Sequence, residues 1–145
     1  MKAWLLDTGP LVAYLDARDR AHGLVAPVLE TFRGRLVTSS AVVTEAMHLL
    51  ASARNGPRLF ASFVAASGIE IYDLSRAADL ADAVTLMEKY ADTPMDFADA
   101  TLLLLAEHLE ILEIATLDRR GFSTYRTRRG KRLQQVLAGA ASRGG

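Results

Sequence analysis

The 145-residue chain suits one domain with one hydrophobic core, because half of its residues are hydrophobic. Its longest wholly apolar runs, such as 102–106, are too short to span a bilayer, and an acid follows the N-terminus too early for a secretory signal. The absence of cysteine excludes disulfides and thiolate metal sites and fits a cytoplasmic protein.

The net charge is zero, but the charges are unevenly distributed along the chain. Residues 1–118 contain all 17 acids and 9 of the 17 bases, whereas residues 119–145 contain 8 bases and no acid. This pattern predicts an acidic body that can hold cations and a basic C-terminal segment that can meet phosphates.

Taken in chain order, the elements alternate between short strands and helices. We predict strands at 4–6, 35–38, 69–72 and 114–116, and helices at about 8–16, 20–32, 40–54, 57–66, 76–90 and 95–108. Thr8, Ser39 or Ser40, and Ser75 are the predicted helix caps. Residues 125–127 are a possible strand, 128–130 a turn, and 133–137 a strand or a helix. The alternation predicts a parallel sheet covered by helices, in a single domain over 1–138 with a mobile tail at 139–145.

Four carboxylates are expected at one edge of this sheet. Asp7 directly follows a strand, Asp118 comes two residues after one, and Glu45 lies early in the helix after the second strand. Asp99 lies early in a helix that must run antiparallel to the strand after it, so its first turns reach the same edge. In open α/β sheets, functional groups collect at the C-terminal ends of the strands. The topology therefore predicts that the four acids are neighbours.

The apolar surroundings of Asp7 and Asp99 indicate a divalent cation, because an unpaired buried charge is very costly. Oxygen ligands suit Mg²⁺ or Mn²⁺, which can activate water and stabilise a phosphodiester in transit. Taken singly, each acid also has a structural interpretation as a cap, a turn residue or a solvated helix residue. Asp96, three residues before Asp99, is assigned to the helix N-terminus.

The three histidines are far apart in the sequence and are interpreted as surface or boundary residues; they are His22, His48 and His108. The sequence also has no Ser-His-Asp arrangement, nucleophile elbow or P-loop. Nucleophilic catalysis and phosphate-loop chemistry are therefore not indicated.

Four segments occur together in an order typical of one family: Leu5-Leu6-Asp7-Thr8-Gly9-Pro10-Leu11, Val43-Thr44-Glu45, Phe97-Ala98-Asp99-Ala100-Thr101 and Thr116-Leu117-Asp118-Arg119-Arg120-Gly121-Phe122. In this order and spacing the chain resembles PIN-domain proteins, specifically the VapC-type toxins of toxin–antitoxin pairs. The resemblance covers nearly the whole chain, from residue 1 to about 125.

The resemblance implies a three-layer α/β/α sandwich with a central, mainly parallel sheet. It implies a Mg²⁺- or Mn²⁺-dependent endoribonuclease that cleaves structured cellular RNA, forms a homodimer and is inhibited by a small antitoxin. Asp7, Glu45, Asp99 and Asp118 match the acidic quartet of the family, which serves both as metal ligands and as catalytic residues. Thr8 matches a small polar position, and Asp118 is the most variable member of the quartet.

The basic segment is expected to position the RNA backbone, or else to form a solvated face or a contact with antitoxin or a second subunit. Its candidate RNA-binding residues are Arg119, Arg120, Arg126, Arg128 and Arg129, with Lys131 and Arg132 beside them.

Two other functions remain as alternatives to the metal-dependent ribonuclease. The first is a non-catalytic RNA-binding or partner-regulated module on the same fold. The second is a phosphotransfer receiver domain, which lacks support because the sequence has no early acidic pair and no late lysine after a strand.

Overall fold

The computed structural model describes residues 1–139, so most of the tail predicted at 139–145 lies outside the described residues. The strands are β1 (Ala3–Leu6), β2 (Arg35–Ser39), β3 (Glu70–Tyr72), β4 (Glu113–Ala115) and β5 (Gln134–Gln135). The helices are α1 (Thr8–Leu15), α2 (His22–Thr31), α3 (Ser40–Leu50), α4 (Gly56–Ser67), α5 (Ala77–Lys89), α6 (Phe97–Leu109) and α7 (Arg119–Thr124). Within residues 1–139, none of the helices combines the length and the apolar character that crossing a membrane requires.

The five strands form one parallel sheet in the order β3-β2-β1-β4-β5, which confirms the predicted parallel sheet flanked by helices. From β1 the chain builds outward through β2 to β3, and then crosses to the other side of β1 to add β4 and β5. The order therefore reverses between β1 and β4. In parallel sheets such a switch point opens a crevice at the C-terminal ends of the strands.

The sheet is buried because its strands and covering helices are strongly apolar. Leu5 and Leu6 of β1, Val37 of β2 and Ile114 of β4 have no solvent exposure. Helix α6 is buried in the same way, since residues 100–106 are all buried. A strand or helix that is apolar on every side is stable only when it is covered on every side. This burial explains why α6 lies in the middle of the molecule.

The predicted elements are present, but several local predictions are wrong. Asp7, not Thr8, caps α1, and Arg76, not Ser75, is the N-cap residue of α5. The third helix ends at Leu50, well before the predicted stop at 55–56. Residues 125–127 are not a strand, whereas 133–137, predicted as a strand or a helix, contains the short strand β5, which pairs with β4. Caps and short edge strands depend on tertiary contacts that local sequence patterns do not encode.

The turn predicted at 128–130 is confirmed. Gly130 has a φ of 82°, and its N–H donates to the carbonyl of Thr127 at 2.8 Å. This left-handed conformation favours glycine, because other residues carry a Cβ that crowds the backbone. The turn directs the chain back to the sheet, where β5 adds beside β4.

Candidate active site

Asp7 lies at the C-terminal end of β1, beside the switch point of the sheet. Its backbone N–H continues the ladder by donating to the carbonyl of Ala115 on β4 at 3.0 Å. Its carboxylate is 8% exposed and accepts two hydrogen bonds, from the Thr8 N–H at 2.8 Å and from the Thr116 hydroxyl at 2.7 Å. Asp7 is therefore both the cap of α1 and a buried carboxylate in the crevice.

The environment of Asp7 favours its neutral form. Burial raises the pKa of Asp7 from 3.8 to about 6, although the hydrogen bonds from Thr116 and Thr8 lower it. The negative charges of Asp96 and Glu45 raise this pKa further, which places both side chains in the neighbourhood of Asp7. At neutral pH the protein thus holds a carboxylate that lacks a compensating positive charge.

Asp99 faces the same region from the first turn of α6. Burial, followed by the charges of Asp96 and Asp7, raises the pKa of Asp99 from 3.8 to about 8. Asp96 is the N-cap of α6 and accepts from the Asp99 N–H at 2.8 Å, while the Asp99 carboxylate accepts from the Asp96 N–H at 3.2 Å. This reciprocal capping box confirms the assignment of Asp96 to the helix N-terminus and fixes where α6 begins.

Asp118 reaches the region from the other side of the switch point. It caps α7 by accepting from the Gly121 N–H at 3.0 Å, and its own N–H donates to the Thr116 hydroxyl at 3.0 Å. Thr116 therefore links Asp118 to Asp7. A Cβ on Gly121 would collide with the Asp118 carboxylate, so any larger residue there forces that side chain to shift.

The structure therefore brings the four predicted acids to one edge of the sheet, together with Asp96. Among residues 1–139, however, no three carboxylate or imidazole groups converge closely enough to form a ready-made metal site. In this arrangement the carboxylates of Asp7, Asp96 and Asp118 each accept from backbone N–H groups.

The donor set fits a hard divalent cation. The available ligands are carboxylate oxygens, and the buried hydroxyl of Thr8 beside Asp7 has no hydrogen-bond partner among the described residues. Oxygen ligands of this kind suit Mg²⁺ and Mn²⁺. A cation would also relieve the repulsion that raises the pKa values of Asp7 and Asp99.

Two residues of this region are not among the sequence-predicted site residues. Thr116 is buried and donates to Asp7, and its only sequence signal is its place two residues before Asp118. Tyr125 is 1% exposed, and its hydroxyl donates to the carbonyl of Pro94 at 2.7 Å. This bond connects the chain after α7 to the loop that leads into α6.

The basic candidates separate into two groups. The Arg126 guanidinium donates to the carbonyls of residues 123, 124 and 125 at the end of α7, and Arg128 pairs with Asp82 at 3.0 Å and with Glu107. These contacts give both side chains partners within the protein, although Arg128 stays exposed to solvent. Arg119, Arg120 and Arg129 are exposed, and Arg120 lines a hollow together with Asp118.

The histidines behave as structural or surface residues where their contacts are described. The Nδ1 atom of His22 lies 2.7 Å from the carbonyl of Ala13, which joins α2 to α1. His48 and His108 are exposed and lie in the last turns of α3 and α6.

Comparison with known proteins agrees with this fold. The family model of the PIN domain matches residues 4–127. Ribonuclease VapC26 of Mycobacterium tuberculosis is 32% identical over 134 residues, which cover 91% of this chain and 98% of the relative. The chain belongs to the PIN-domain family.

A solved structure shows the same fold at lower sequence similarity. The crystal structure of Mycobacterium tuberculosis VapC20, described as a Sarcin-Ricin loop cleaving toxin, matches with a TM-score of 0.73 and 18% identity. The match covers 82% of this chain and 92% of that chain. It supports the architecture of a parallel sheet flanked by helices.

Proposed function

We propose that this protein is a metal-dependent endoribonuclease and the toxin of a toxin–antitoxin pair, acting in the cytoplasm. The observation that carries the proposal is a pair of neighbouring acids at the switch point, the buried Asp7 and the partly buried Asp99, whose pKa values are raised to about 6 and about 8. Acids kept in such surroundings are typical of functional sites. The relatedness to a ribonuclease of the VapC family supports RNA as the substrate.

In this proposal Asp7 and Asp99 are the principal ligands of Mg²⁺ or Mn²⁺, and Glu45 and Asp118 complete the catalytic set directly or through water. When bound, the cation supplies charge stabilisation to the phosphodiester and lowers the pKa of water. The Thr116 hydroxyl would keep Asp7 oriented toward the cation, because that hydroxyl accepts in turn from the Asp118 N–H.

The exposed arginines are proposed to position the RNA backbone. Arg119 and Arg120 begin α7 next to Asp118, so phosphates bound to them lie beside the acids. Arg129 is exposed further along the basic segment. A salt-dependent affinity for RNA that falls in Arg119→Ala and Arg120→Ala variants supports this role.

The proposed partners are an antitoxin and a second copy of the chain. An antitoxin with basic side chains would neutralise the acidic crevice without a metal, which is charge complementarity at an interface. Leu59 on α4 is 45% exposed, and Phe63 on the same helix is partly buried, so α4 offers an apolar surface for a dimer. Unchanged inhibition by an antitoxin stripped of its basic side chains contradicts the first proposal.

The decisive experiment compares Asp7→Asn and Asp99→Asn with Glu88→Gln, a matched carboxylate-to-amide change on an exposed part of α5. We expect the first two variants to lose Mn²⁺-dependent RNA cleavage and the third to retain it. Undiminished cleavage by a folded Asp7→Asn variant overturns the assignment.

The alternative is a non-catalytic RNA-binding or partner-regulated module. It is favoured by one observation, the lack of converged ligands among the described residues. Calorimetric titration with Mn²⁺ separates the two functions. A catalytic site binds Mn²⁺ in the wild type and loses this binding in Asp99→Asn, whereas a degenerate site shows no binding that depends on Asp99.

A further inference from the structure

A cavity of about 500 Å³ lies between the first turns of α3 and α6 and the segment that follows β3. Its lining includes Glu45 and Asp96, whose charges act on Asp7, so the cavity adjoins the acidic site. The lining also includes Asp73, which follows the edge strand β3. None of the roles described above uses Asp73.

Asp73 is held in a fixed orientation by two hydroxyl groups that also line the cavity. Ser40 donates to Oδ1 of Asp73 at 2.9 Å, and Ser75 donates to Oδ2 at 2.9 Å. Each carboxylate oxygen can accept more than one hydrogen bond, so both oxygens remain available to a ligand. The result is a pair of neighbouring acceptors on a solvent-exposed side chain that two hydroxyl groups orient.

The rest of the lining combines an aromatic ring with small apolar groups. Phe97, the first residue of α6, is partly exposed and faces a cavity that is also lined by Ala41, Leu74 and Ala98. Aromatic rings of this kind stack on unpaired bases in proteins that recognise single-stranded RNA. The cavity therefore offers an aromatic and apolar surface beside the two carboxylate oxygens of Asp73.

The charge of the lining decides which part of an RNA can enter. Within residues 1–139 the lining contains the three carboxylates of Glu45, Asp73 and Asp96 and no lysine or arginine. A phosphate is repelled by this arrangement, whereas a base edge with N–H donors is attracted. Guanine is the base that presents two adjacent donors, N1–H and the N2 amino group, on its Watson–Crick edge.

We propose that this cavity binds a guanine base of the RNA next to the phosphodiester that is cut, with Asp73 accepting from N1–H and N2–H and Phe97 stacking on the ring. The inference rests on the proposed ribonuclease function and adds a sequence preference to it. Its geometric basis is that the cavity adjoins the acidic site. A base next to a phosphate bound at the acids can therefore occupy the cavity.

The experiment uses the full chain without antitoxin, Mn²⁺, and a pool of short RNAs of random sequence whose new ends are sequenced. The wild type is expected to prefer guanine at one position beside the cut. In Asp73→Asn that preference is expected to fall and adenine to gain, because an asparagine side chain pairs with adenine. Glu88→Gln is the matched control and is expected to keep the wild-type preference.

A second measurement replaces that guanine with inosine, which lacks the N2 amino group. A bidentate contact is worth about 1–3 kcal/mol of discrimination, so wild-type cleavage should fall by roughly fivefold or more. The Asp73→Asn variant should cleave both substrates at nearly equal rates. This coupling isolates the contact between Asp73 and N2 from any general loss of activity.

The outcomes separate the inference from the proposed function. No RNA cleavage by the wild type overturns both. Cleavage without a guanine preference, or with a preference that Asp73→Asn leaves unchanged, overturns the guanine subsite and leaves the ribonuclease standing. If Asp73→Asn reduces cleavage equally on every RNA sequence, the subsite is also overturned. The same holds if Asp73→Asn changes only the inhibition by antitoxin, a result that would assign the cavity to an antitoxin side chain.

Discussion

Replacing Asp7 by asparagine is expected to stabilise the metal-free protein while it abolishes activity. Asp7 is 8% exposed, and its pKa rises from 3.8 to about 6, mainly because of burial. At neutral pH the charged carboxylate therefore destabilises the fold relative to its neutral form by about 3 kcal/mol. Asparagine resembles the protonated acid, since it can accept from the Thr8 N–H and donate to the Thr116 hydroxyl.

The pH dependence fixes the sign of this effect. Because the folded state binds the Asp7 proton more tightly than the unfolded state, the contribution of Asp7 to wild-type stability is most favourable below pH 3.8 and is lost as the pH rises through 6. The advantage of Asp7→Asn should therefore be complete above pH 6 and disappear below about pH 4.

Urea unfolding without metal, at pH 7 and at pH 4, measures this difference. For a chain of this length, 3 kcal/mol corresponds to a melting temperature about 10 °C higher. Added Mn²⁺ should stabilise the wild type and leave Asp7→Asn unchanged, because only the former binds the ion. A variant that is no more stable than the wild type at pH 7, or whose advantage persists at pH 4, refutes the argument from burial. Glu88→Gln serves as the control for the loss of one negative charge.

Three further substitutions test how the surrounding structure supports the site. Gly121→Ala places a Cβ against the carboxylate of Asp118 and 2.9 Å from the ring of Tyr125, so urea unfolding should show a loss of about 1–3 kcal/mol and calorimetry a weaker binding of Mn²⁺. Tyr125→Phe leaves a loop carbonyl without its donor and should cost about 1–2 kcal/mol in urea unfolding; an unchanged midpoint counts against the hydrogen bond. Arg128→Met deprives Glu107, whose side chain is 9% exposed, of its partner, and should cost about 1–2 kcal/mol because Arg128 itself is 38% exposed. If Arg128→Met changes the free energy of RNA binding by more than the free energy of unfolding, Arg128 is an RNA contact.

The sequence by itself determined the strands, most helices and the edge of the sheet where the acids lie. A short apolar run that ends in an acid, as at Asp7, can be placed in few ways in a fold. The run must be buried, and the acid must reach solvent or a partner. The alternation of strands and helices then required a parallel sheet. The place of Asp99 followed from the direction of its helix, before any contact was known.

The tertiary structure alone decided the contacts between residues that are distant in sequence. The short strand β5 exists because β4 offers it an edge, and Arg128 pairs with Glu107 and Asp82, which are distant from it in the sequence. Asp73 gave no signal in the sequence, since a lone acid after a strand is usually a turn residue. It became the centre of a subsite only when the fold brought the hydroxyl of Ser40 to it across 33 residues. Local sequence patterns determine which segments are buried, whereas the order and packing of the strands and helices determine which distant side chains come into contact.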